Sequence, residues 1–234
     1  MIINAWIAMI VTLVLCLAWM RLINLLTDKQ IIGKSFSRKV IHIGTGPIFV
    51  LCWMLFPDKN ISRYLAALVP FLIVLQLFLV GKGKIEDRTS ILSMARSGEK
   101  AELLRGPLLY GIVFVLLTIF FWKSIHAVVA LMILCGGDGV ADIIGSRLKS
   151  PRLPWTTNKT VAGSIAMFLG GFLLAFAIIV LVKGNFLIQA SVGSIIIPLL
   201  GISFLATLVE AITPSDWDNL TVTVISLAFS LLLL

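Results

Sequence analysis

Of the chain's 234 residues, 59% are hydrophobic and only 13% charged, and a mean hydropathy of +1.09 excludes a water-soluble globule. The formal net charge of +8 invites a nucleic-acid reading, but in a membrane protein such charge is first a matter of how it is shared among loops. No Pro/Ser-rich linker, repeat or low-complexity tract divides residues 1–234, so a single transmembrane domain is expected.

A helix needs about 20 predominantly apolar residues to cross a bilayer. Eight stretches approach that: 2–26, 39–56, 62–81, 106–122, 125–147, 160–182, 189–212 and 219–234. A backbone in lipid must satisfy its own hydrogen bonds, and no alternating strand pattern is present. The expected fold is therefore all-α and polytopic, with about eight transmembrane helices. The first stretch starts at once, without a basic leader, a small-residue cleavage site or a transit segment, and is expected to be retained. Cys16, Cys52 and Cys135 sit singly in apolar runs, as core-filling residues do.

The even-numbered loops hold four of the 19 basic residues, Lys59, Arg63, Lys123 and Lys183, and the odd-numbered loops hold the other fifteen. By the positive-inside rule the odd loops are cytoplasmic and both termini face outward. Anionic membrane lipids account for the basic balance, and no nucleic-acid partner is expected.

The polar residues inside the spans gather toward that inner rim. Arg38, Lys39 and His42 enter the second span, either as a snorkelling basic anchor or as anion ligands. CGGDGVADIIGSRL, residues 135–148, places Asp138 and Asp142 four residues apart, hence on one helical face. Insertion scales put a charge near the centre of a span at about 2.5–3.5 kcal/mol, so the two acids need a cation, a salt bridge or water. Gly137, Ala141 and Gly145 form a ridge of small residues beside them, suited to close packing of a neighbouring helix. Lys159 and Thr160 open the sixth span, where helix N–H groups attract anions, or where a helix is simply capped. Glu210, Asp216, Asp218 and Asn219 lie in a loop without basic residues. Acids for a divalent metal and bases for phosphate on one side suit a magnesium-nucleotide site, since Mg²⁺ takes one or two carboxylates together with substrate phosphates.

RKVIHIGTG (38–46), ELLRGPLLYG (102–111), CGGDGVADIIGSRL (135–148), NKTVAGSIAMF (158–168) and DNLTV (218–222) together resemble the phytol kinases, within the wider group of membrane polyprenol kinases and CTP-dependent lipid enzymes. The resemblance covers roughly residues 37–222. It implies transfer of the γ-phosphate of CTP or UTP to the hydroxyl of a prenyl alcohol, with Mg²⁺ as cofactor. On that reading Asp138 and Asp142 hold the metal with help from Glu210 or Asp216. Arg38, Lys39 and Lys159 hold the phosphates, with Thr160, Gly163, Ser164 and Asn219 completing the nucleotide site. His42 or one of the aspartates takes the alcohol proton. Chain-length preference and oligomeric state are left open.

The Gly-His-Gly-Gly and Asp-Arg signature that closes phosphatidate cytidylyltransferases is missing, which makes nucleotidyl transfer the second choice beside farnesol, geranylgeraniol and dolichol kinases. The missing transit segment points to a bacterial, cyanobacterial plasma or thylakoid membrane, with a processed plastid protein as the alternative. A secondary transporter would place its ionisable groups near the midplane between related halves, and no internal repeat is present. A scaffolding membrane subunit is the third class, one in which replacing the acids changes no activity.

Overall fold

Backbone groups in hydrocarbon find partners only within their own helix, and the chain meets that constraint with helices throughout. The computed structural model describes residues 4–234 apart from 96, 157, 187 and 189. Among the described residues the only extended pairing is one antiparallel bridge between Arg152 and Thr160. Two compact units divide the chain, Met1–Trp122 and Lys123–Leu234.

Unit 1 consists of α1 (Ala5–Asp28), α2 (Lys34–Cys52), a 3-10 turn at Trp53–Leu55, α3 (Asn60–Gly81), α4 (Arg88–Met94), a 3-10 turn at Lys100–Leu104 and α5 (Gly106–Phe120). α1 packs on α2 and α3, and α3 packs on α5. Gly44 of α2 faces the Trp19 ring, so a side chain there would collide with the indole. One end of the unit is closed by a cluster of rings: Trp53 lies 5.1 Å from Trp122 and 5.8 Å from Phe49, and both Trp53 and Phe56 are fully buried. The short α4 was not foreseen from its sequence. Asp87 caps it by accepting from the Ser90 N–H at 3.1 Å and the Ser90 hydroxyl at 2.6 Å, and also takes the Gln76 amide from α3. Burial pushes the Asp87 carboxyl up, but these hydrogen bonds outweigh it and hold the group below the usual carboxylate range.

Unit 2 consists of α6 (Ile125–Met132), one π-helical turn (Ile133–Asp138), α7 (Gly139–Arg147), α8 (Val161–Val182), α9 (Val192–Ile212) and α10 (Asp218–Leu233). α6, the π turn and α7 form one continuous helical run over the expected 125–147. Ala127 through Cys135 are all at 0% exposure, as befits a helix apolar on every side. α8 and α10 flank this run, and α9 packs on α8 and α10.

The ridge of small residues meets its partner as its spacing implies. A Cβ on Gly136 would stand 2.5 Å from the Gly170 carbonyl oxygen and 2.7 Å from the Leu174 Cβ, and one on Gly137 would stand 2.6 Å from the Met167 sulfur. Gly163 likewise lies against the Ala141 carbonyl and Gly145. Glycine is required here because two backbones touch.

Among the described residues six helical runs have the length and apolarity to cross a membrane: Ala5–Asp28, Asn60–Gly81, Lys100–Phe120, Ile125–Arg147, Val161–Val182 and Val192–Ile212. The chain is thus an all-α, multi-pass membrane protein. The other two expected spans are also helical, but α2 opens with Lys34, Arg38 and Lys39, and α10 is only 16 residues long.

Gly136→Ala should cost about 1–3 kcal/mol through overpacking and lower the melting temperature of the detergent-solubilised protein. Gly201→Ala, on α9 with nothing within 4 Å of its added carbon, should be neutral or slightly stabilising. Equal melting temperatures for the two variants would contradict the close contact between the π turn and α8.

Candidate functional site

Asp138 ends the π turn and is 8% exposed, while Asp142 follows one turn later on α7 and is half-buried. π turns are rare, and where they occur in helices they are frequently at functional sites. Here the widened turn falls on Gly136 and Gly137, the two residues that α8 touches most closely.

The depth of Asp138 follows from α10, which runs antiparallel to α6. His126 near the start of α6 lies beside the Ser230 backbone near the end of α10. Asp138 is as far along the chain from His126 as Asp218 is from Ser230. At about 1.5 Å per residue the two aspartates reach similar depths, and α10 does pack against the π turn. Asp218 is 5% exposed and Asn219 is 8% exposed, with the Asn219 N–H donating to Asp218 Oδ1 at 2.8 Å. Asp216, the residue expected from sequence, is instead exposed on the loop before α10. Asp218 was passed over because its exposure depends on whether it precedes or begins the helix, a matter of one or two residues.

The segment between α7 and α8 is tightly tied. The Leu153 N–H donates to the Lys159 carbonyl at 3.0 Å, and the Val161 N–H to the Pro151 carbonyl at 3.0 Å. The ammonium of Lys159 pairs with Glu210 Oε1 at 2.7 Å and also donates to the Glu210 backbone carbonyl. The Trp155 indole N–H donates to the next carbonyl, that of Ala211, at 2.9 Å. Carbonyls at a helix C-terminus lack partners in their own helix, and those of α9 recruit two side chains from this loop.

The start of α8 is occupied differently from the expected anion cradle. The Ala162 N–H donates to the Ser150 hydroxyl at 3.0 Å, the Gly163 N–H to the Thr160 hydroxyl at 3.1 Å, and the Ser164 N–H to the Thr160 carbonyl at 3.0 Å. With Val161 bonded to Pro151, every N–H of the first turn has an acceptor in the protein. Thr160 is an N-cap, Gly163 is buried against α7, and Ser164 is half-buried. An anion would have to displace these bonds or use side chains instead.

The four carboxylates expected to share magnesium are not gathered. Among the described residues no three His, Cys, Asp or Glu side chains form a metal-holding group, and Glu210 is engaged with Lys159. Asp138 and Asp142 remain as a pair, a donor set of hard oxygens that suits Mg²⁺ when phosphates and water supply the other ligands.

The remaining expected residues belong to unit 1. Arg38 and His42 are half-buried on α2, while Lys39 is 7% exposed and so is not a snorkelling side chain. The Tyr110 hydroxyl donates to the His42 carbonyl at 3.1 Å, with the two rings 4.3 Å apart. Sequence reading gave Tyr110 no role, although it stands in the ELLRGPLLYG motif, because nothing in one sequence pairs it with a residue 68 positions away.

Removing one member of a buried ion pair strands the other. Glu210→Gln should destabilise the protein by about 3 kcal/mol, seen as a fall in melting temperature, whereas Lys159→Met with Glu210→Gln should recover most of it. An unchanged melting temperature in Glu210→Gln would contradict the pairing.

No family model and no solved structure matches the chain, but curated proteins do. A Triticum aestivum protein named "Probable phytol kinase, chloroplastic" is 37% identical over 216 residues, which is 91% of this chain and 72% of that protein. A Glycine max "Probable phytol kinase 1, chloroplastic" is 36% identical over 214 residues, 90% of this chain and 71% of its own length. An Arabidopsis thaliana "Farnesol kinase, chloroplastic" is 39% identical over 202 residues, 85% of this chain and 65% of that protein. These relatives are plant proteins with chloroplastic names, which lends the bacterial expectation no support. Identity of this degree over nine-tenths of the chain, with more than two thirds of the wheat and soybean proteins covered, shows that the chain belongs to the phytol kinase family.

Proposed function

We propose that the chain is a prenyl alcohol kinase that uses CTP or UTP, with the Asp138–Asp142 pair of unit 2 at the centre of its nucleotide site. The single observation that carries this is a nearly buried carboxylate in a π turn, in a family whose members are named for phosphorylating phytol and farnesol. A carboxylate in an otherwise apolar helix is a hard-oxygen ligand of the kind a metal-nucleotide complex takes.

A prenyl alcohol keeps its chain in the leaflet and its hydroxyl near the interface, and a nucleotide comes only from water. The reaction therefore belongs at one membrane face, for which charge asymmetry favours the cytoplasmic side. Magnesium carried by the nucleotide would neutralise charge on the transferring phosphoryl group. Asp138 and Asp142 would hold and orient it. Lys159, steadied by Glu210, offers its remaining ammonium hydrogen to a phosphate oxygen. The alcohol oxygen bonds to the γ-phosphorus as the bond to the bridging oxygen breaks, and the nucleoside diphosphate leaves. The hydroxyl proton passes to a carboxylate of the pair, since a loose phosphoryl-transfer transition state asks little of a base. One relative, 35% identical, is named for phytol and another, 39% identical, for farnesol, so the acceptor is assigned as a class.

Membranes containing the protein, given γ-labelled CTP, UTP or ATP and a panel of phytol, farnesol, geranylgeraniol and dolichol, should transfer label to a prenyl phosphate. Asp138→Asn should abolish transfer while the protein still inserts and accumulates. The double variant Lys159→Met, Glu210→Gln should raise the KM for the nucleotide at least roughly tenfold and leave that for the alcohol unchanged. Near-normal turnover in Asp138→Asn would remove the pair from the site.

A further inference from the structure

Trp155 is a large aromatic side chain that is 62% exposed yet held in one orientation. Its loop is braced by the Arg152–Thr160 bridge and by the Thr156 N–H donating to the Leu153 carbonyl at 3.2 Å, and its indole N–H is fixed on Ala211. The residue before Ala211 is Glu210, which holds the Lys159 ammonium. Consecutive residues at the end of α9 thus anchor an indole ring and a cation from the same short loop, side by side. Lys149 and Arg152 on that loop are exposed as well.

An exposed tryptophan in a membrane protein is commonly an interfacial anchor, with its ring in the acyl boundary and its N–H turned to headgroups or water. Trp155 spends its N–H on the protein itself, which leaves only its ring surface to offer a partner. A flat π surface beside a cation suits a nucleotide, the base stacking on the ring and a phosphate meeting the cation.

We infer that Trp155 is the base-stacking platform of the nucleotide donor, placed beside Lys159 by their adjoining anchors on α9. The inference rests on the kinase reading and adds to it the subsite for the base. Stacking tolerates any base, so Trp155 supplies affinity, while choice among cytidine, uridine and adenosine must come from edge contacts elsewhere.

The test compares Trp155→Leu and Trp155→Phe with wild type in nanodiscs, using CTP, ribose 5-triphosphate and inorganic tripolyphosphate as ligands. Trp155→Leu should weaken CTP binding and raise its KM by roughly tenfold, and Trp155→Phe should recover most of the loss. Binding of the two baseless triphosphates should be unchanged in both variants, as should the KM for the prenyl alcohol. Equal losses for CTP and tripolyphosphate, or no loss for CTP, would overturn the platform and return Trp155 to a bracing or interfacial role. Absence of kinase activity in the wild-type protein would instead overturn the kinase reading, and that outcome is distinct from the others.

Discussion

The contact between the π turn and α8 fixes the polar end of unit 2. Gly136 and Gly170 let two backbones meet with no side chain between them, and the same helical run then delivers Asp138 and Asp142 one turn apart. Further along that contact Gly145 and Gly163 lie together, which brings the start of α8, and with it the loop bearing Trp155 and Lys159, next to α7. A bulkier ridge would separate α7 from α8, and the carboxylates would part from the cations. The positions of the acid pair and of the loop thus depend on one stripe of small residues.

The second constraint is the end of α9. Its last carbonyls lie beyond the reach of its regular hydrogen bonding, and the chain adds a lysine at Glu210 and a tryptophan at Ala211 to the Thr213 N–H that caps the helix. That arrangement braces a loop joining two spans without burying it. It also determines what the loop presents outward: an indole surface and a cation already partly committed to Glu210. A cation so held loses little rotamer freedom when it meets a phosphate, which is how preorganisation strengthens a site.

Much of this was legible in the sequence, and the reasons differ by feature. Apolar run lengths gave the all-α membrane fold and the ends of the 125–147 run, because the bilayer imposes a length that hydropathy reports directly. The Gly137, Ala141, Gly145 spacing gave a close helix contact, though not that α8 would fill it. Long-range pairings were hidden: Lys159 with Glu210 is separated by 51 positions and Tyr110 with His42 by 68, and no periodicity connects them. The π turn was hidden too, since an inserted residue leaves helical composition unchanged. Thr160 shows a subtler ambiguity. A helix start rich in small polar residues reads equally as an anion cradle and as a capped terminus, and only the donors' actual acceptors separate the two. The motifs that carry the family resemblance fared best, and membership in the phytol kinase family favours an enzyme over a transporter or scaffold.

The claim that matters most is that Asp138 and Asp142 hold a divalent ion together with nucleotide phosphates. Electron paramagnetic resonance of Mn²⁺–CTP titrated into the purified protein in nanodiscs tests it most directly. The account predicts saturable, near-stoichiometric binding by the wild-type protein that is lost when Asp138 and Asp142 are both replaced by asparagine. Binding of Mn²⁺–CTP by that folded double variant with wild-type affinity would contradict it.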